Sequence, residues 1–235
     1  MANLEEVLAE LEAVGTAQNR KVYARHGAMQ PMFGVSYKEL GRIGKPLKID
    51  HELATELWRS GNHDARVLAL RIADPSAVTV ELALDWLADV NNYILVEGLG
   101  KLVAQSPVAR RVSEQLRDHS QEWPASLGWF IVACSAEQPA LWTADELEVL
   151  VRQISDEIDA RPNRVRHEMN GTLIAIGLRD DRLRSAVLAT ASQVCPVEVD
   201  HGETGCKTPD VAAYIERTLA RRAAQAARKA ERARA

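Results

Sequence analysis

Two groups of side chains in this sequence have the chemical types that bind metals or phosphates. The first is the segment from Cys195 to Cys206, whose sulfur, imidazole and carboxylate groups are zinc ligands by type. Its candidate ligands are Cys195, Asp200, His201, Glu203 and Cys206. Their spacing does not match a Cys-x-x-Cys finger, and there is no second Cys or His pair. We therefore predict no metal. Instead, we expect a hydrogen-bonded loop in which Asp200 and Thr208 cap neighbouring helices, with Pro209 at the first position of the last helix.

The second group is a set of basic residues at the start of two consecutive predicted helices. Guanidinium groups bind phosphates through paired hydrogen bonds, and a local basic patch can bind DNA on an acidic protein. We predict DNA contacts for Arg161, Arg164, Arg166, His167 and Arg182. Arg179 and Arg184 lie near the second of these helices. The alternative is a set of surface ion pairs with the acidic residues Asp156, Glu157, Asp159, Asp180 and Asp181.

The charge of the chain is unevenly distributed. The whole sequence carries a net charge of −4. The segment from Arg217 onward has seven basic residues and one acid, which gives +6, so residues 1–216 carry the remaining −10. An acidic body is not the usual footprint of a strong DNA-binding protein. We expect a single domain over residues 1–216, followed by a solvated, Ala- and Arg-rich helical tail over residues 217–235.

Composition favours an all-α protein. Hydrophobic residues make up 46% of the chain, but only 5% are aromatic. The apolar residues are mainly Leu, Ala, Val and Ile, and Leu and Ala are strong helix formers. No apolar stretch approaches the roughly 20 residues that a membrane span needs, and the three cysteines are too scattered for a disulfide framework. We expect a cytoplasmic monomer without a cofactor.

Helical periodicity divides the chain into an opening pair, a short helix capped by Ser36, and five further pairs. We expect Ser36 to start a helix that ends at Gly41, and Pro46 and Asp50 to introduce the next one. The predicted pairs are 50–60 with 63–73, 77–89 with 92–105, 108–118 with 122–135, 143–159 with 162–178, and 180–194 with 208–230. Pairs that recur every 30–45 residues predict a HEAT-like solenoid, an α-α superhelix, and a compact irregular bundle is the alternative.

Three stretches of the sequence resemble the DNA alkylation repair family, which includes the AlkD-like 3-methyladenine and 7-methylguanine DNA glycosylases. They are Phe33-Gly34-Val35, the stretch Leu57-Trp58-Arg59-Ser60-Gly61-Asn62-His63-Asp64-Ala65-Arg66, and the segment from Val197 to Pro209. The resemblance covers roughly residues 5–215 and implies a HEAT-like fold. It also implies a concave face that binds duplex DNA, and no cofactor.

The resemblance implies a catalytic pair as well. AlkD-like enzymes use an Asp with a Trp four residues before it, an Arg on a later helix, and a further Trp. The best match for the first two is Tyr93 and Glu97, one helical turn apart. Tyr93 would pack against the damaged nucleotide, and the Glu97 carboxylate would stabilise positive charge on the sugar and position water. The alternative is an ordinary amphipathic helix with an exposed Glu, because same-face pairs occur on every helix. The approximate matches for the Arg and the second Trp are Ser126 and Asn170-Gly171.

The five tryptophans are predicted to serve in packing rather than base stacking, because Trp58 and Trp86 sit among leucines at helical spacing. Our functional hypothesis is a DNA alkylation repair protein that binds alkylated duplex DNA in a concave groove. Excision of N3- or N7-alkylated purines would then be by hydrolysis of the N-glycosidic bond. The alternative is a non-catalytic helical-repeat scaffold for nucleic acid or protein, because solenoids offer broad surfaces without chemistry.

Overall fold

The computed structural model describes residues 3–234, and this part of the chain is helical without a β-strand. Two 3₁₀ helices, Pro75–Ala77 and Ile158–Ala160, accompany the α-helices. In chain order the α-helices are α1 Leu4–Val14, α2 Ala17–Arg25, α3 Tyr37–Leu47, α4 His51–Arg59, α5 His63–Ile72, α6 Val80–Ala88, α7 Tyr93–Val103, α8 Ala109–Leu116, α9 Glu122–Ser135, α10 Ala144–Glu157, α11 Asn163–Gly177, α12 Asp181–Val194 and α13 Val211–Arg234. The five predicted pairs correspond to α4 through α13.

Side-chain caps fix most helix starts, and two of the predicted boundaries were wrong. Ser36 and Asp50 cap α3 and α4 as expected, accepting hydrogen bonds from the Glu39 and Leu53 N–H groups. However, α3 continues past Gly41 to Leu47 and includes Pro46 in its last turn.

The start of α13 also differs from the prediction. Asp210, not Thr208, takes the capping position, because its carboxylate accepts a hydrogen bond of 2.8 Å from the Ala213 N–H. Pro209 therefore lies before the helix rather than at its first position.

The chain forms two compact units. The first unit contains the chain up to Ile131 together with His201–Cys206, and the second contains Val132–Asp200 and the chain from Lys207 onward. In the first unit, apolar faces of α1 and α3 through α9 form the core, with Leu11, Leu57, Leu68 and Leu99 almost fully buried.

An arginine and two tryptophans join successive helix pairs in the first unit. The rings of Trp58 and Trp86 stack in parallel with their centroids 4.6 Å apart. The Arg66 guanidinium lies over Trp58 and pairs with the Asp89 carboxylate at 2.7 Å. The same carboxylate accepts a hydrogen bond from the Trp58 indole N–H at 3.1 Å. Arg66 thus ties α4 and α5 to the end of α6, the next helix pair.

The second unit is built in the same manner around α10, α11 and α12. Its core contains Leu147, Ile154, Leu173 and Val187. The Arg179 guanidinium donates hydrogen bonds to the backbone carbonyls of Ala136 and Trp142 at 2.9 and 2.8 Å. Arg179 therefore connects the end of α11 to the segment between α9 and α10. The first turns of α13 pack on this core through Val211 and Ile215.

The tryptophan prediction holds for four of the five residues. Trp58, Trp86, Trp129 and Trp142 are at most 2% exposed, whereas Trp123 is half-buried and lines a second cavity of the first unit. Within residues 3–234, no helix combines the length and the apolar character that a bilayer crossing requires.

Candidate functional site

A buried aspartate fixes the loop that precedes the candidate site. The Asp64 side chain is only 1% exposed and accepts hydrogen bonds from three successive backbone N–H groups. Phe33 and Gly34 donate to Oδ2 at 2.7 and 2.9 Å, and Val35 donates to Oδ1 at 2.9 Å. Two of the sequence motifs, Phe33-Gly34-Val35 and the one containing Asp64, are therefore parts of one hydrogen-bonded unit.

The opposite side of this loop is bound by α2. Asn19 and Arg20 donate side-chain hydrogen bonds to the Gly34 and Phe33 carbonyls, each at 3.0 Å, and the Tyr23 hydroxyl donates to the Val35 carbonyl at 2.5 Å. Gly34 has a φ of +80°, and a Cβ at this position would lie 2.5 Å from the Thr16 carbonyl oxygen. Hydrogen bonds from α2 on one side and to Asp64 on the other thus fix the conformation of this loop. The loop leads directly to Ser36, so its conformation sets the position of Tyr37 at the start of α3.

A cavity of about 630 Å³ opens between α2, α3, α5 and α7 in the first unit. We call it the tyrosine pocket, because three of the four tyrosines in the sequence line it. Its ring-bearing residues are Tyr23, His26, Tyr37 and Tyr93, its charged residues are Arg71, Glu97 and Lys101, and its apolar lining includes Val22, Val67, Leu70 and Ile94. Tyr93 and Glu97, which the family resemblance implies as the catalytic pair, thus lie in one pocket.

The rings of the tyrosine pocket present both edges and faces. Tyr23 meets Tyr37 edge-on with the ring centroids 6.2 Å apart, and the Arg71 guanidinium carbon lies 5.3 Å from the centroid of the Tyr37 ring. Tyr37 is 51% exposed, so a ligand can reach its ring from solvent. An exposed ring beside a cation is suited to stacking on a flat, negatively charged ligand.

Burial shapes the ionisation of the two neighbouring tyrosines. It raises the pKa of Tyr23 to about 12, with smaller contributions from Tyr37 and Asp64. Burial also raises the pKa of Tyr37, where Arg71 opposes the effect and the Glu97 and Asp64 carboxylates add to it. Both phenols are therefore neutral at physiological pH, and the charges of Arg71 and Glu97 both act on the Tyr37 phenol.

Glu97 and Tyr93 already have partners inside the chain. The Glu97 Oε2 atom lies 3.9 Å from the Lys101 ammonium one turn along α7, and the Glu97 side chain is 31% exposed. The Tyr93 hydroxyl is hydrogen-bonded to Nδ1 of His26 at 2.5 Å. Lys101 in turn lies 5.7 Å from the centroid of the Phe130 ring. The pocket therefore combines one carboxylate with two cations, Arg71 and Lys101.

Sequence reasoning missed most of this pocket. Tyr23, Tyr37 and Arg71 come from three different helices, and nothing in their local spacing relates them. One signal was available, because Tyr37 and Tyr93 each directly follow a capping residue, Ser36 and Asn92, and so begin a helix. The first turn of a helix has a free N-terminal end, where a large side chain is not covered by a preceding turn.

The residues at the other two catalytic positions of the resemblance are buried and part of the packing. Ser126 is 1% exposed on α9, and Asn170 is fully buried on α11, where it donates to the Pro209 carbonyl at 3.0 Å. Neither residue lines the tyrosine pocket. The cations that do line the tyrosine pocket are Arg71 on α5 and Lys101 on α7.

The basic residues predicted to contact DNA lie in the second unit, where acidic side chains bind several of them. Arg164 is 9% exposed and lies 3.6 Å from the buried Glu168 carboxylate. Arg182 pairs with Asp145 and Glu148, each at 2.7 Å, and Arg161 pairs with Glu157 at 3.6 Å. Of the acidic partners that the ion-pair alternative named, only Glu157 pairs with one of these three residues, Arg161, whereas Arg164 and Arg182 pair with acids that the alternative did not name. DNA contact by these residues stays a prediction.

Arg166 and His167 are half-buried and remain a prediction as DNA contacts. The Cys195 to Cys206 segment is a loop, as expected, and the Asn163 side chain holds it by hydrogen bonds to both backbone groups of Asp200. Among residues 3–234, no three His, Cys, Asp or Glu side chains converge in a manner that could hold a metal ion.

Comparisons with known proteins place this chain among DNA repair proteins. A family model described as DNA alkylation repair enzyme matches residues 7–229. The uncharacterized proteins Lin0241 of Listeria innocua and Lmo0209 of Listeria monocytogenes are 28% and 27% identical over 223 residues, which is 92% of this chain and 97% of each relative.

A similar solved structure is described as a new family of proteins related to the HEAT-like repeat DNA glycosylases with affinity for branched DNA structures. It is 26% identical, with a TM-score of 0.85 over 94% of this chain and 95% of that one. The predicted all-α, HEAT-like fold and the predicted family resemblance are both confirmed.

Proposed function

Because the chain belongs to the DNA alkylation repair enzyme family, we propose that it binds branched DNA and takes one unstacked nucleotide into the tyrosine pocket. One observation carries this proposal. Three of the four tyrosines of the chain line a single cavity whose charged residues include two cations. Such a cavity has the groups that a nucleotide needs, which are aromatic rings for the base and positive charge for the phosphate.

The dimensions and polarity of the pocket suit this ligand. A cavity of about 630 Å³ lies within the usual range of ligand pockets. Stacking of a base on an aromatic side chain contributes about 1–3 kcal/mol and does not depend on base identity. Tyr37 is the ring best placed to stack, because it is half-exposed and has Arg71 beside it to meet the phosphate.

Branched DNA is the form that such a pocket selects most readily. Extruding a nucleotide from a regular duplex costs a few kcal/mol of stacking and pairing, and the cost is least where the base is already unpaired or unstacked. Nucleotides at a branch point meet that condition. The similar structure described above belongs to proteins with affinity for branched DNA, which supports the same choice of ligand.

Excision of alkylated purines is a second candidate function, favoured by the presence of the Glu97 carboxylate in the pocket. An N3- or N7-alkylated purine is cationic, so it leaves with the electron pair of the bond between its nitrogen and the sugar C1′. Glu97 would stabilise the positive charge on the sugar while a water oxygen bonds to C1′ and its proton passes to the carboxylate. Tyr93 would pack against the departing base.

One contact favours binding without excision. The Lys101 ammonium lies 3.9 Å from the Glu97 carboxylate and offsets part of the negative potential that a cationic sugar would meet. Ser126, the approximate match for the family arginine, is buried and offers no cation to a phosphate. Binding of branched DNA therefore requires neither an unneutralised Glu97 carboxylate nor a cation at the Ser126 position, whereas excision would draw on both.

The binding proposal is tested by fluorescence anisotropy with a three-way junction and a duplex of equal length. We expect tighter binding to the junction, and a loss of about 5- to 150-fold for Tyr37→Leu, as expected for one lost stacking contact. Tyr214→Leu, which removes a tyrosine from outside the pocket, is the matched control and should leave the affinity unchanged. Equal affinity of the wild type for both DNAs, or an unchanged affinity for Tyr37→Leu, would rule out the proposal.

Excision is tested by measuring release of free 7-methylguanine and 3-methyladenine from alkylated DNA. Release by the wild type that is abolished in Glu97→Gln would establish excision at this carboxylate. Release that persists in Glu97→Gln would place the chemistry elsewhere. Absence of release from protein that binds the junction would leave binding without excision as the function.

A further inference from the structure

The last helix of the chain extends well beyond the core that holds its first turns. Val211, Ile215 and Thr218 of α13 are buried. Every residue from Ala220 to Arg232 is exposed, although α13 continues through this stretch. We call residues 220–232 the C-terminal arm. At a rise of about 1.5 Å per residue, it is roughly 20 Å long.

The C-terminal arm has a basic face and an alanine face. Arg221, Arg228 and Arg232 are separated by seven and four residues, so they line up along one side of the helix, with Arg222 and Lys229 next to them. The opposite side consists of Ala220, Ala223, Ala227 and Ala230. With Glu231 as the only acid, the arm carries five cations and one anion, a net charge of +4.

Most of this charge is not neutralised within the described part of the chain. Arg222, near the base of the arm, pairs with Glu137 at 2.7 Å and donates to the Leu178 carbonyl, so it anchors the helix to the second unit. Arg221, Arg228, Lys229 and Arg232 have no ion-pair partner among residues 3–234. Four cations are thus held along about 17 Å of helix without an acidic partner in the described part of the chain.

We infer that the C-terminal arm binds the phosphate backbone of DNA and provides affinity that does not depend on DNA structure. This inference rests on the proposed DNA-binding function and adds a second contact to it. Cations that neutralise phosphates release condensed counterions, which is the main source of structure-independent DNA affinity. The rest of the chain is acidic, so without such an element its net charge would oppose the approach of DNA.

The composition of the arm argues for DNA against two other partners. A helix that lies on a membrane needs Trp, Phe or Leu on its apolar face, and a coiled coil needs large apolar residues at heptad positions. The arm has only alanine and one glutamine between its charged residues. A polyanion fits its basic face, and nothing in its sequence provides the buried apolar surface that the other partners require.

The test compares two full-length quadruple variants by anisotropy over a series of salt concentrations. The first is R221Q/R228Q/K229Q/R232Q, and its matched control, A220Q/A223Q/A227Q/A230Q, makes four changes to Gln on the opposite side of the same helix. Circular dichroism checks that both variants keep the helical content of the wild type. We expect the first variant to lose affinity for junction and duplex alike, so that the ratio of the two affinities is unchanged.

The salt dependence gives the number of contacts. The slope of log K against log salt is negative, and each lost phosphate contact reduces its magnitude by about 0.9, so the loss of four contacts predicts a reduction of up to about 3.6. The inference is overturned if the charge variant and its alanine-face control bind with the same affinity and slope. It is also overturned if the charge variant changes only the oligomeric state, measured by sedimentation.

Failure of the inference and failure of the proposed function give different results. If the wild type shows no junction preference, but the magnitude of the salt slope is smaller in the charge variant, the proposed function is contradicted and the inference about the arm is supported. A preference for the junction, with no effect of the charge variant, does the reverse. A wild type that binds neither DNA at low salt contradicts both.

Discussion

At the scale of single residues, Asp64 has the largest influence on the geometry of the tyrosine pocket. Its carboxylate accepts three backbone N–H groups from Phe33, Gly34 and Val35, and it does so from a buried position. The loop that it holds leads directly to Ser36 and Tyr37. A change at Asp64 therefore reaches the pocket through the backbone, without any contact between Asp64 and a ligand.

Asp64→Asn should lower the free energy of unfolding by about 2–3 kcal/mol, because an amide has one accepting oxygen where three donors converge. Urea unfolding followed by tryptophan fluorescence measures this change. Asp85→Asn, an exposed carboxylate on α6, is the control and should change stability by less than about 0.5 kcal/mol. A similar loss in both variants would contradict the role assigned to Asp64.

The burial of His63, the neighbour of Asp64, predicts how the stability of the protein depends on pH. It is 4% exposed, and burial lowers its pKa below the ordinary value of 6.5, although Asp64 partly opposes the effect. The folded state therefore binds a proton less readily than the unfolded state does. The contribution of His63 to stability is complete above pH 6.5 and is lost as the pH falls through the lowered pKa.

The measurement is the thermal midpoint of the wild type and of His63→Gln between pH 8 and pH 5. We expect the wild type to lose stability more steeply below pH 6.5 than the variant does, because glutamine does not titrate. Parallel curves over the whole range would show that His63 is not the group responsible.

At the scale of helices, two glycines test how closely the elements are packed. A Cβ on Gly128 in α9 would lie 2.3 Å from the backbone nitrogen of Arg117, at the end of α8, whereas a Cβ on Gly171 in α11 would meet nothing within 4 Å. Backbone cannot move aside as a side chain can. The same substitution should therefore have opposite effects in the two helices.

Gly128→Ala should destabilise the protein by about 1–3 kcal/mol through overpacking. Gly171→Ala should stabilise it by about 0.5–1 kcal/mol, because alanine restricts the unfolded chain and favours the helix. Both values come from urea denaturation at one temperature. Equal effects of the two changes would mean that α8 and α9 do not approach each other as closely as described.

At the scale of the whole molecule, the distribution of charge separates the acidic body from its basic arm. The chain carries −4 overall, but the exposed part of α13 carries the opposite sign. Residues 223–232 are all exposed, so they should contribute little to the stability of the folded protein.

A chain that ends at Arg222 should keep the thermal midpoint of the full-length protein to within about 2 °C. The reason is that residues 223–232, which this change removes, are all exposed. Differential scanning calorimetry provides the comparison. Ending the chain before Val211 is the contrasting case and should lower the midpoint strongly, since Val211 and Ile215 are in the core. A large loss on removal of the arm alone would show that it packs on the body.

The sequence by itself determined the helices and the family. Apolar periodicity and caps such as Ser36, Asp50 and Asn92 depend on residues no more than about four positions apart, so they can be interpreted without the fold. The spacing of Tyr93 and Glu97 is equally local, and both residues do line one pocket. The errors at Pro46 and Asp210 are boundary errors, since neighbouring residues compete for the same capping position.

Only the tertiary structure decided which distant residues meet. Tyr23, Tyr37 and Arg71 come together because α2, α3 and α5 pack around one cavity, and no local pattern encodes that packing. The tertiary structure also decided which arginines lack an acidic partner. Arg182 pairs with two acidic side chains on α10, whereas Arg221 in the arm has no ion-pair partner among the described residues. Local spacing sets helices, but the partners of a charge or a ring depend on free energies gained between elements far apart in sequence.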